Sequence, residues 1–365
     1  MRGAGVGVVV ALAILIASST SSTSVARADG ELTVRGMYYK EPRTRVVQPM
    51  LDATFDVGER ATGDAHFLVD AITSASAASG AGGVSFTEKR YEAGAGYLRT
   101  LGRFRLGGTA KYSTEPDYQA VYGALHGEVD LFDKNVTVNL TLGAGHDNVD
   151  NSGVGPMAPR REGTLDTMLV AIGVSQIVSE HGLVALSYDL IHQGGFQQNA
   201  YRLVSVSAGG GMLVNEKHPD VRTRQALAAS IKWYFPSITT TVIGQYRFYA
   251  DDWDLHAHTP ELRVVKDFGD WVSVGARYRY HAQDAADFFR ETYLEVTPDI
   301  TADVKLSAFD SHLVGGRVEV TGGAFGLSGR FEQTRAELVG EYVVQHNSFG
   351  NALVSYVALV VPLEY

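Results

Sequence analysis

The sequence has no cysteine and no excess of positive charge. The absence of cysteine among 365 residues excludes disulfides, zinc sites with thiolate ligands and cysteine nucleophiles. The formal net charge is −10, whereas a nucleic-acid partner requires a basic stripe on the protein. We therefore expect no nucleic-acid partner.

Long apolar runs are also missing. After the N-terminal segment, no stretch approaches the ~18 consecutive apolar residues that indicate a transmembrane helix. Proline is scarce (10), whereas glycine (40) and tyrosine (18) are abundant. The mean hydropathy is −0.04. Two classes of protein fit this composition. One is a soluble β protein, and the other is an outer-membrane barrel, in which apolar residues alternate with polar ones and give no long apolar run.

The N-terminus has the three parts of a secretory signal peptide. Met1-Arg2 gives a positive start, an apolar core follows over 6–17, and Ala26-Arg27-Ala28 has the form of a cleavage site. The apolar core is shorter than the ~20 residues that span a bilayer as a helix. We predict a signal peptide over 1–28 and one exported domain over 29–365. The alternative is an N-terminal helix of the fold.

Apolar residues recur at every second position through most of the chain. In residues 135–145, NVTVNLTLGAG, the even positions are apolar and the odd positions are polar or glycine. The same period occurs in 103–112 and in 271–281. A period of two is typical of strands that bury one face, and it predicts an all-β fold.

The composition of the two strand faces distinguishes a soluble sandwich from a membrane barrel. Tyr91 and Tyr97 bracket Ala93 and Ala95, as in a lipid-facing band with aromatic residues at both interfaces. The other faces carry charges in mid-strand, such as Arg277. Unpaired charges are costly in a packed apolar core, whereas a water-filled lumen accommodates them. The sequence therefore predicts a single closed antiparallel transmembrane β-barrel in the bacterial outer membrane, in contact with its lipid.

Sixteen strands are predicted for this barrel. Short connections alternate with longer ones, and an even number of strands returns both ends to the periplasmic side. A register change expected at Pro260 and the long span 320–330 leave fourteen or eighteen strands as alternatives. The predicted strands are 31–39, 44–57, 62–75, 86–100, 103–113, 117–131, 134–148, 163–177, 181–193, 223–235, 238–250, 253–266, 270–282, 303–320, 331–346 and 351–365.

The last predicted strand has one uniformly apolar face. Its members are Val357, Leu359, Val361, Leu363 and Tyr365. A terminal aromatic residue that follows apolar residues at every second position resembles the assembly signal of bacterial outer-membrane proteins. The resemblance implies the outer-membrane barrel-insertion machinery as a partner.

Three other stretches resemble a known family. Residues 34–52, 66–76 and 302–320 read VRGMYYKEPRTRVVQPMLD, HFLVDAITSAS and ADVKLSAFDSHLVGGRVEV. They are similar to segments of a family of uncharacterised bacterial outer-membrane β-barrel proteins, which is defined by a domain of unknown function. The resemblance covers most of the exported chain. It implies an outer-membrane barrel without an established activity, so it supplies no catalytic residue.

Histidines and carboxylates near residue 256 form the densest candidate metal site. His256 and His258 share one face of a strand because they are two residues apart, and His281 falls toward the outer end of the next strand. Imidazoles and carboxylates together bind divalent metals. The alternative is a polar rim of histidines with ordinary hydrogen bonds. We predict no cofactor.

Charged residues at inward-facing positions form the other candidate site. Rings of charge tune the selectivity of a pore, and the alternative is that opposite charges on neighbouring strands brace the wall. The residues predicted to line the lumen are Arg90, Glu92, Arg103, Arg105, Lys111, His126, Glu128, Asp130, Arg224, Lys232, Arg247, Arg277, Arg279, Glu319 and Glu341.

The expected function follows from the size of the barrel. Barrels of ~16–18 strands enclose an aqueous channel unless a segment plugs it. We predict a porin-like channel for small polar solutes, in which 194–222 is long enough to form a constriction. The alternatives are a non-conducting barrel that serves as an anchor or partner-binding scaffold, and a barrel enzyme or metal binder. An enzyme is not expected, because Ser311 and His312 are adjacent on a strand and point to opposite faces. The solute and a homo-oligomeric assembly stay open.

Overall fold

The computed structural model describes most of the chain. The described residues are 30–74, 86–151, 161–200, 202–207 and 211–363. The predicted signal peptide over 1–28 and the last residue of the predicted assembly signal, Tyr365, lie outside them. Within the described ranges, no helix is long and apolar enough to cross a membrane.

The alternating segments form antiparallel strands that close into a barrel. The strands, in chain order, are β1 (Gly30–Glu41), β2 (Thr44–Asp56), β3 (Ala61–Ser74), β4 (Phe86–Leu101), β5 (Phe104–Thr114), β6 (Tyr118–Leu131), β7 (Val136–Asp150), β8 (Glu162–Ser179), β9 (Gly182–Gly195), β10 (Leu203–Val206), β11 (Met212–Asn215), β12 (Val221–Phe235), β13 (Thr240–Asp251), β14 (His256–Phe268), β15 (Val272–Gln283), β16 (Phe309–Thr321), β17 (Arg335–Gln345) and β18 (Ala352–Leu363). Wall strands pair with their neighbours in sequence, β9 pairs with β12, and β18 pairs with β1. Closure leaves no free edge, so the backbone polar groups of the wall are satisfied within the sheet.

The number of wall strands confirms the prediction. Among the described residues, sixteen strands form the barrel, and β10 and β11 form a separate sheet between β9 and β12. The alternatives with fourteen or eighteen strands are wrong. The register change expected at Pro260 is also wrong, because His258 opposes Ala282 and Glu261 opposes Arg279 without a shift.

Strand pairing divides the wall into two continuous faces, since directly opposed residues project to the same side. We call one of these faces the polar face. On it, Arg277 of β15 lies between Arg263 of β14 and Gly315 of β16, and Gly315 opposes Glu341 of β17. The intervening positions form the apolar face, where large side chains such as Leu262 are about half exposed. In outer-membrane barrels, a face of this kind contacts lipid.

The two rims of the barrel differ in their connections. Gly30 opposes Leu363, so the wall begins and ends at the same rim, called the terminal rim. Its connections are 57–60, 102–103, 132–135, 180–181, 236–239, 269–271 and 322–334. Of the described residues, the opposite rim, called the loop rim, carries the connections 42–43, 115–117, 252–255, 284–308 and 346–351 and most of 196–220. Except for 322–334, the long connections lie at the loop rim, as do the external loops of outer-membrane barrels.

Aromatic side chains on the apolar face form a belt near each rim. The belt near the terminal rim contains Phe55, Tyr97, Phe104, Trp233 and Phe268. The belt near the loop rim contains Tyr91, Tyr112, Phe248, Tyr280 and Tyr342. Such belts mark the two membrane interfaces, with the apolar band between them.

Candidate functional site

The polar face carries all but one of the residues predicted to line the lumen. Strand register places on it Arg90, Glu92, Arg105, Lys111, His126, Glu128, Asp130, Arg224, Lys232, Arg247, Arg277, Arg279, Glu319 and Glu341. The exception is Arg103, because β5 begins at Phe104. Arg103 lies in the turn at the terminal rim, with its guanidinium carbon 5.2 Å from the centre of the Phe104 ring.

A chain of ionic contacts crosses the polar face from β1 to β5. Arg35 Nε donates to Asp52 Oδ2 at 2.7 Å. His66 links Asp52 to Glu92, with distances of 2.8 Å from Nδ1 and 3.5 Å from Nε2. Lys111 Nζ lies 3.6 Å from Glu92 Oε1. Sequence reasoning identified only Glu92 and Lys111; the other three share the same alternating face, which is the signal that would have identified them.

A second set of ionic contacts crosses the polar face from β14 to β17. Arg277 donates to Glu261 and to Glu341, each at 2.7 Å. Arg317 of β16 bonds to Glu337 of β17. Contacts of this kind join strands that are adjacent or one strand apart, so these charges brace the wall in addition to giving the face its polarity.

Four cations of the polar face have no such contact. Arg224 and Lys232 lie on β12, Arg247 on β13 and Arg279 on β15. Among the described residues, no carboxylate oxygen lies within 4.0 Å of their charged nitrogens. The guanidinium carbon of Arg247 lies 5.6 Å from the centre of the Tyr249 ring. One stretch of wall, β12 to β15, therefore carries four cations that make no direct contact with a carboxylate.

Two long connections of the loop rim, 196–220 and 284–308, pack together into what we call the loop assembly. Val206 forms a parallel β-bridge with Tyr293. These two residues, Val204 and Ile300 form a buried cluster in which none is more than 4% exposed. The segment predicted to form a constriction, 194–222, is thus held by a second connection that sequence reasoning did not single out.

A buried carboxylate stands at the centre of the loop assembly. Glu216 is 0% exposed and accepts hydrogen bonds from Arg202 Nη1 at 2.9 Å and Thr301 Oγ1 at 2.5 Å. His218 Nε2 lies 3.3 Å from Glu216 Oε1, and Arg202 Nη1 also lies 2.8 Å from Asp303. Burial alone would raise the pKa of Glu216, but the hydrogen bond from His218 and the charge of Arg202 outweigh it and lower this pKa to about 2.

The loop assembly folds over the polar face at the loop rim. Tyr249 and Ala257, both on the polar face, belong to an apolar cluster that includes Leu306 of the 284–308 connection. Gln283 of β15, on the same face, donates from Nε2 to the carbonyl oxygen of Ser307 at 2.8 Å. These contacts anchor one side of the assembly to β13, β14 and β15.

The three histidines of the predicted metal site do not converge. His256 and His258 lie on the apolar face of β14, where the Tyr246 hydroxyl is 2.5 Å from His258 Nδ1. His281 lies on the polar face of β15, with Nδ1 2.9 Å from Thr259 Oγ1. The wall of the barrel separates the pair from His281, so the three could not bind one ion.

A different group of ligand atoms converges at the loop rim. One ligand atom from each of Asp310, His312 and His346 lies within 4.8 Å of the others. His346 Nδ1 is 2.8 Å from Asp310 Oδ2, and the Tyr278 hydroxyl is 2.8 Å from His312 Nδ1. Two imidazoles and a carboxylate form a donor set that suits a divalent transition metal. Sequence reasoning missed this group because His346 lies in the connection after β17, whereas Asp310 and His312 lie on β16.

An acidic group at the loop rim contains a carboxyl that titrates near neutral pH. Carboxylate oxygens of Glu88, Glu115 and Asp117 lie within 4.8 Å of one another. Burial raises the pKa of Glu115 to about 7, against the opposing charge of Arg90 and with the help of Asp117 and Asp70. This side chain is therefore partly protonated at physiological pH.

The wall, its belts and its rims define the class of protein. A closed antiparallel barrel with a lipid-type outer band and long connections at one rim is an outer-membrane β-barrel protein of porin-like architecture. Residues 83–337 match the model of the family described as "Protein of unknown function (DUF3570)". The chain belongs to this family, which confirms the resemblance seen in the sequence. A search of curated proteins gave no match.

Solved structures with a similar fold are outer-membrane proteins. A bacterial polysaccharide outer membrane secretin matches with a TM-score of 0.55 and 8% identity, covering 93% of this chain and 100% of that one. OccK3 (OpdO) of Pseudomonas aeruginosa matches with a TM-score of 0.46 and 10% identity, covering 91% and 94%. A BenF-like porin from Pseudomonas fluorescens Pf-5 gives 0.47 and 10%, covering 92% and 98%. At 8% identity, the match to the secretin shows the fold alone.

Proposed function

We propose that the protein is a porin-like channel that passes small polar solutes. The supporting observation is the polar face, which continues around all sixteen wall strands and carries cross-strand ion pairs on both halves of the ring. In this proposal the polar face lines the lumen and the apolar face contacts lipid. A barrel of this strand number is wide enough for an aqueous channel.

The loop assembly is the constriction of this channel. It is anchored to the polar face through Tyr249, Ala257 and Gln283, so it narrows the lumen from the side of β13 to β15. Solutes are then selected by size at the assembly and by charge along the wall. No covalent step and no cofactor belong to this mechanism.

Planar-bilayer recording tests the channel and the constriction together. Folded protein should give discrete conductance steps, and proteoliposomes should swell in isotonic solutions of small sugars. Replacing 196–220 by a short turn between β9 and β12 should raise single-channel conductance, because it removes one half of the loop assembly. The double variant Arg202→Gln/Glu216→Gln keeps the loop length but removes the buried ion pair, so its conductance should rise less than that of the deletion. Unchanged conductance after the deletion would reject the constriction.

A non-conducting scaffold is the second candidate function. It is supported by the packing of the loop assembly, in which Glu216 and Val206 are fully buried and two connections close on each other. On this candidate, folded protein gives neither conductance nor swelling. Heat-modifiable migration in SDS gels identifies the folded barrel in both assays, so absence of flux with a folded barrel would favour the scaffold.

We also propose that β18 carries the signal for the barrel-insertion machinery. Val357, Leu359, Val361 and Leu363 occupy alternate positions on its apolar face. Replacing Leu359 and Val361 by serine should reduce the amount of folded barrel in outer-membrane fractions. Equal amounts of wild type and variant would contradict this role.

A further inference from the structure

The cations of the polar face divide into two groups by their contacts. Each cation of the larger group has a carboxylate oxygen within 4.0 Å, and the smaller group lacks this contact within the described residues. The larger group is Arg35, Arg90, Arg105, Lys111, Arg222, Arg263, Arg277, Arg317 and Arg335. The smaller group is Arg224, Lys232, Arg247 and Arg279.

For two members of the smaller group, the opposed residues explain why no carboxylate contacts them. Arg247 is opposed by Ala228 on β12 and by Thr259 on β14, which are both uncharged. Arg279 is opposed by Glu261, but both carboxylate oxygens of Glu261 already contact other arginines. The wall from β12 to β15 therefore has more guanidinium groups than carboxylates to pair with them.

The opposite wall has the reverse balance. Around the ring, β2 to β5 lie eight strands from β12 to β15 in either direction. The cations of β2 to β5 on the polar face, Arg90, Arg105 and Lys111, are all paired. The carboxylates there are more numerous: Asp52, Asp56, Asp64, Asp70, Glu88 and Glu92. One side of the barrel is thus positive and the facing side negative.

We propose that Arg224, Arg247 and Arg279 form a pathway for small anionic solutes that carry carboxylate or phosphate groups. Unpaired positive charge on a low-dielectric wall concentrates anions beside it. The planar guanidinium fork also matches carboxylate and phosphate groups geometrically. Arg224 of β12 lies nearest the loop rim, and Arg247 of β13 and Arg279 of β15 lie farther from it, so an anion passes from one guanidinium to the next along one side of the lumen.

This inference rests on the proposed channel and adds the sign of the preferred solute. The net charge of the whole chain, −10, would favour cations if it governed permeation. The unpaired arginines favour anions. A preference for anions would therefore indicate that the unpaired arginines govern permeation, and a preference for cations would indicate that the total charge does.

Reversal potentials across a planar bilayer with a potassium chloride gradient measure that sign. The wild-type channel should pass chloride more readily than potassium. In the triple variant Arg224→Gln/Arg247→Gln/Arg279→Gln, the permeability ratio of chloride to potassium should fall several-fold, to one or below. Every carboxylate that has a cation within 4.0 Å keeps that cation in this variant, and heat-modifiable migration in SDS gels checks that the barrel still folds. The charge-preserving triple variant to lysine should keep the preference for chloride.

Lys89→Gln is the control for loss of a positive charge away from the polar face. Lys89 is exposed on the apolar face of β4, so its substitution changes the net charge but not the polar face. Its reversal potential should equal that of the wild type. Preference for potassium in a conducting wild-type channel, or an unchanged ratio in the triple glutamine variant, would overturn this inference and leave the channel standing. A folded barrel without conductance would overturn both.

Discussion

Arg277 and Glu341 form an ion pair across a glycine. Their side chains approach to 2.7 Å although β16 separates β15 from β17, and the residue of β16 that lies between them is Gly315. A Cβ atom at Gly315 would lie 2.8 Å from Glu341 Cγ, which is too close for two carbon atoms. The ion pair therefore requires that residue 315 have no side chain.

We predict that Gly315→Ala destabilises the barrel by about 1–3 kcal/mol, the usual cost of overpacking. Glu341 must move to accommodate the methyl group, which weakens its bond to Arg277. Gly316→Ala is the control, because its added Cβ would meet nothing closer than 3.8 Å. Urea unfolding in detergent micelles measures both variants, and equal free energies of unfolding would contradict the prediction.

The loop assembly should loosen in acid because of Glu216. Its pKa is lowered from 4.5 in the unfolded chain to about 2 in the folded protein, so the folded loops bind the proton more weakly. The stabilisation is complete above about pH 4.5 and is lost as the pH falls through the folded pKa. Amide hydrogen exchange of β10 and β11, corrected for intrinsic rates, should show protection that declines over this range.

Glu216→Gln separates this carboxylate from the other acids of the loop assembly. The variant lacks the charge that Arg202 and His218 contact, so its β10 and β11 amides should exchange faster than those of the wild type at pH 6. Its protection should also depend less on pH between 6 and 2. Identical profiles for the two proteins would show that Glu216 does not hold the connections together.

Glu115 should make the barrel less stable as the pH rises. Because its pKa is raised from 4.5 to about 7, the folded state binds the proton more tightly than the unfolded chain. Stability is therefore lost as the pH increases from about 4.5 through 7. Glu115→Gln should match the wild type at pH 5 and have a higher melting temperature at pH 8. Histidines titrate in both proteins, so their contribution cancels in the difference between the two melting temperatures. A difference that is the same at pH 5 and at pH 8 would contradict this role of Glu115.

The wall of the barrel was predictable from the sequence because its signal is local. In a barrel exposed to lipid on one side and water on the other, successive residues such as Tyr278 and Arg279 meet opposite environments. The period of two thus survives in nearly every strand. The ends of strands were less predictable: residues 303–308 alternate as a strand would, but 304–306 form a short helical turn that buries Leu306 in the loop assembly.

The partners of the charged residues were not predictable. Glu92 and His66 meet because β3 and β4 pair in one particular register, and this register depends on the whole ring. The centre of the loop assembly depends on contacts between distant segments, such as Thr301 with Glu216. No periodicity connects such residues in the sequence. The unpaired state of Arg247 was likewise visible only once its neighbours were known.

The last prediction concerns metal binding. His256→Ala, His258→Ala and His281→Ala together should leave the zinc content of purified protein unchanged, because the wall of the barrel separates His281 from the other two. His312→Ala should lower any zinc content, since its imidazole is in the one group of the described residues that combines two histidines with a carboxylate. Elemental analysis after dialysis against micromolar zinc measures both variants. Loss of zinc from the triple variant but not from His312→Ala would mean that His256, His258 or His281 supplies the ligands.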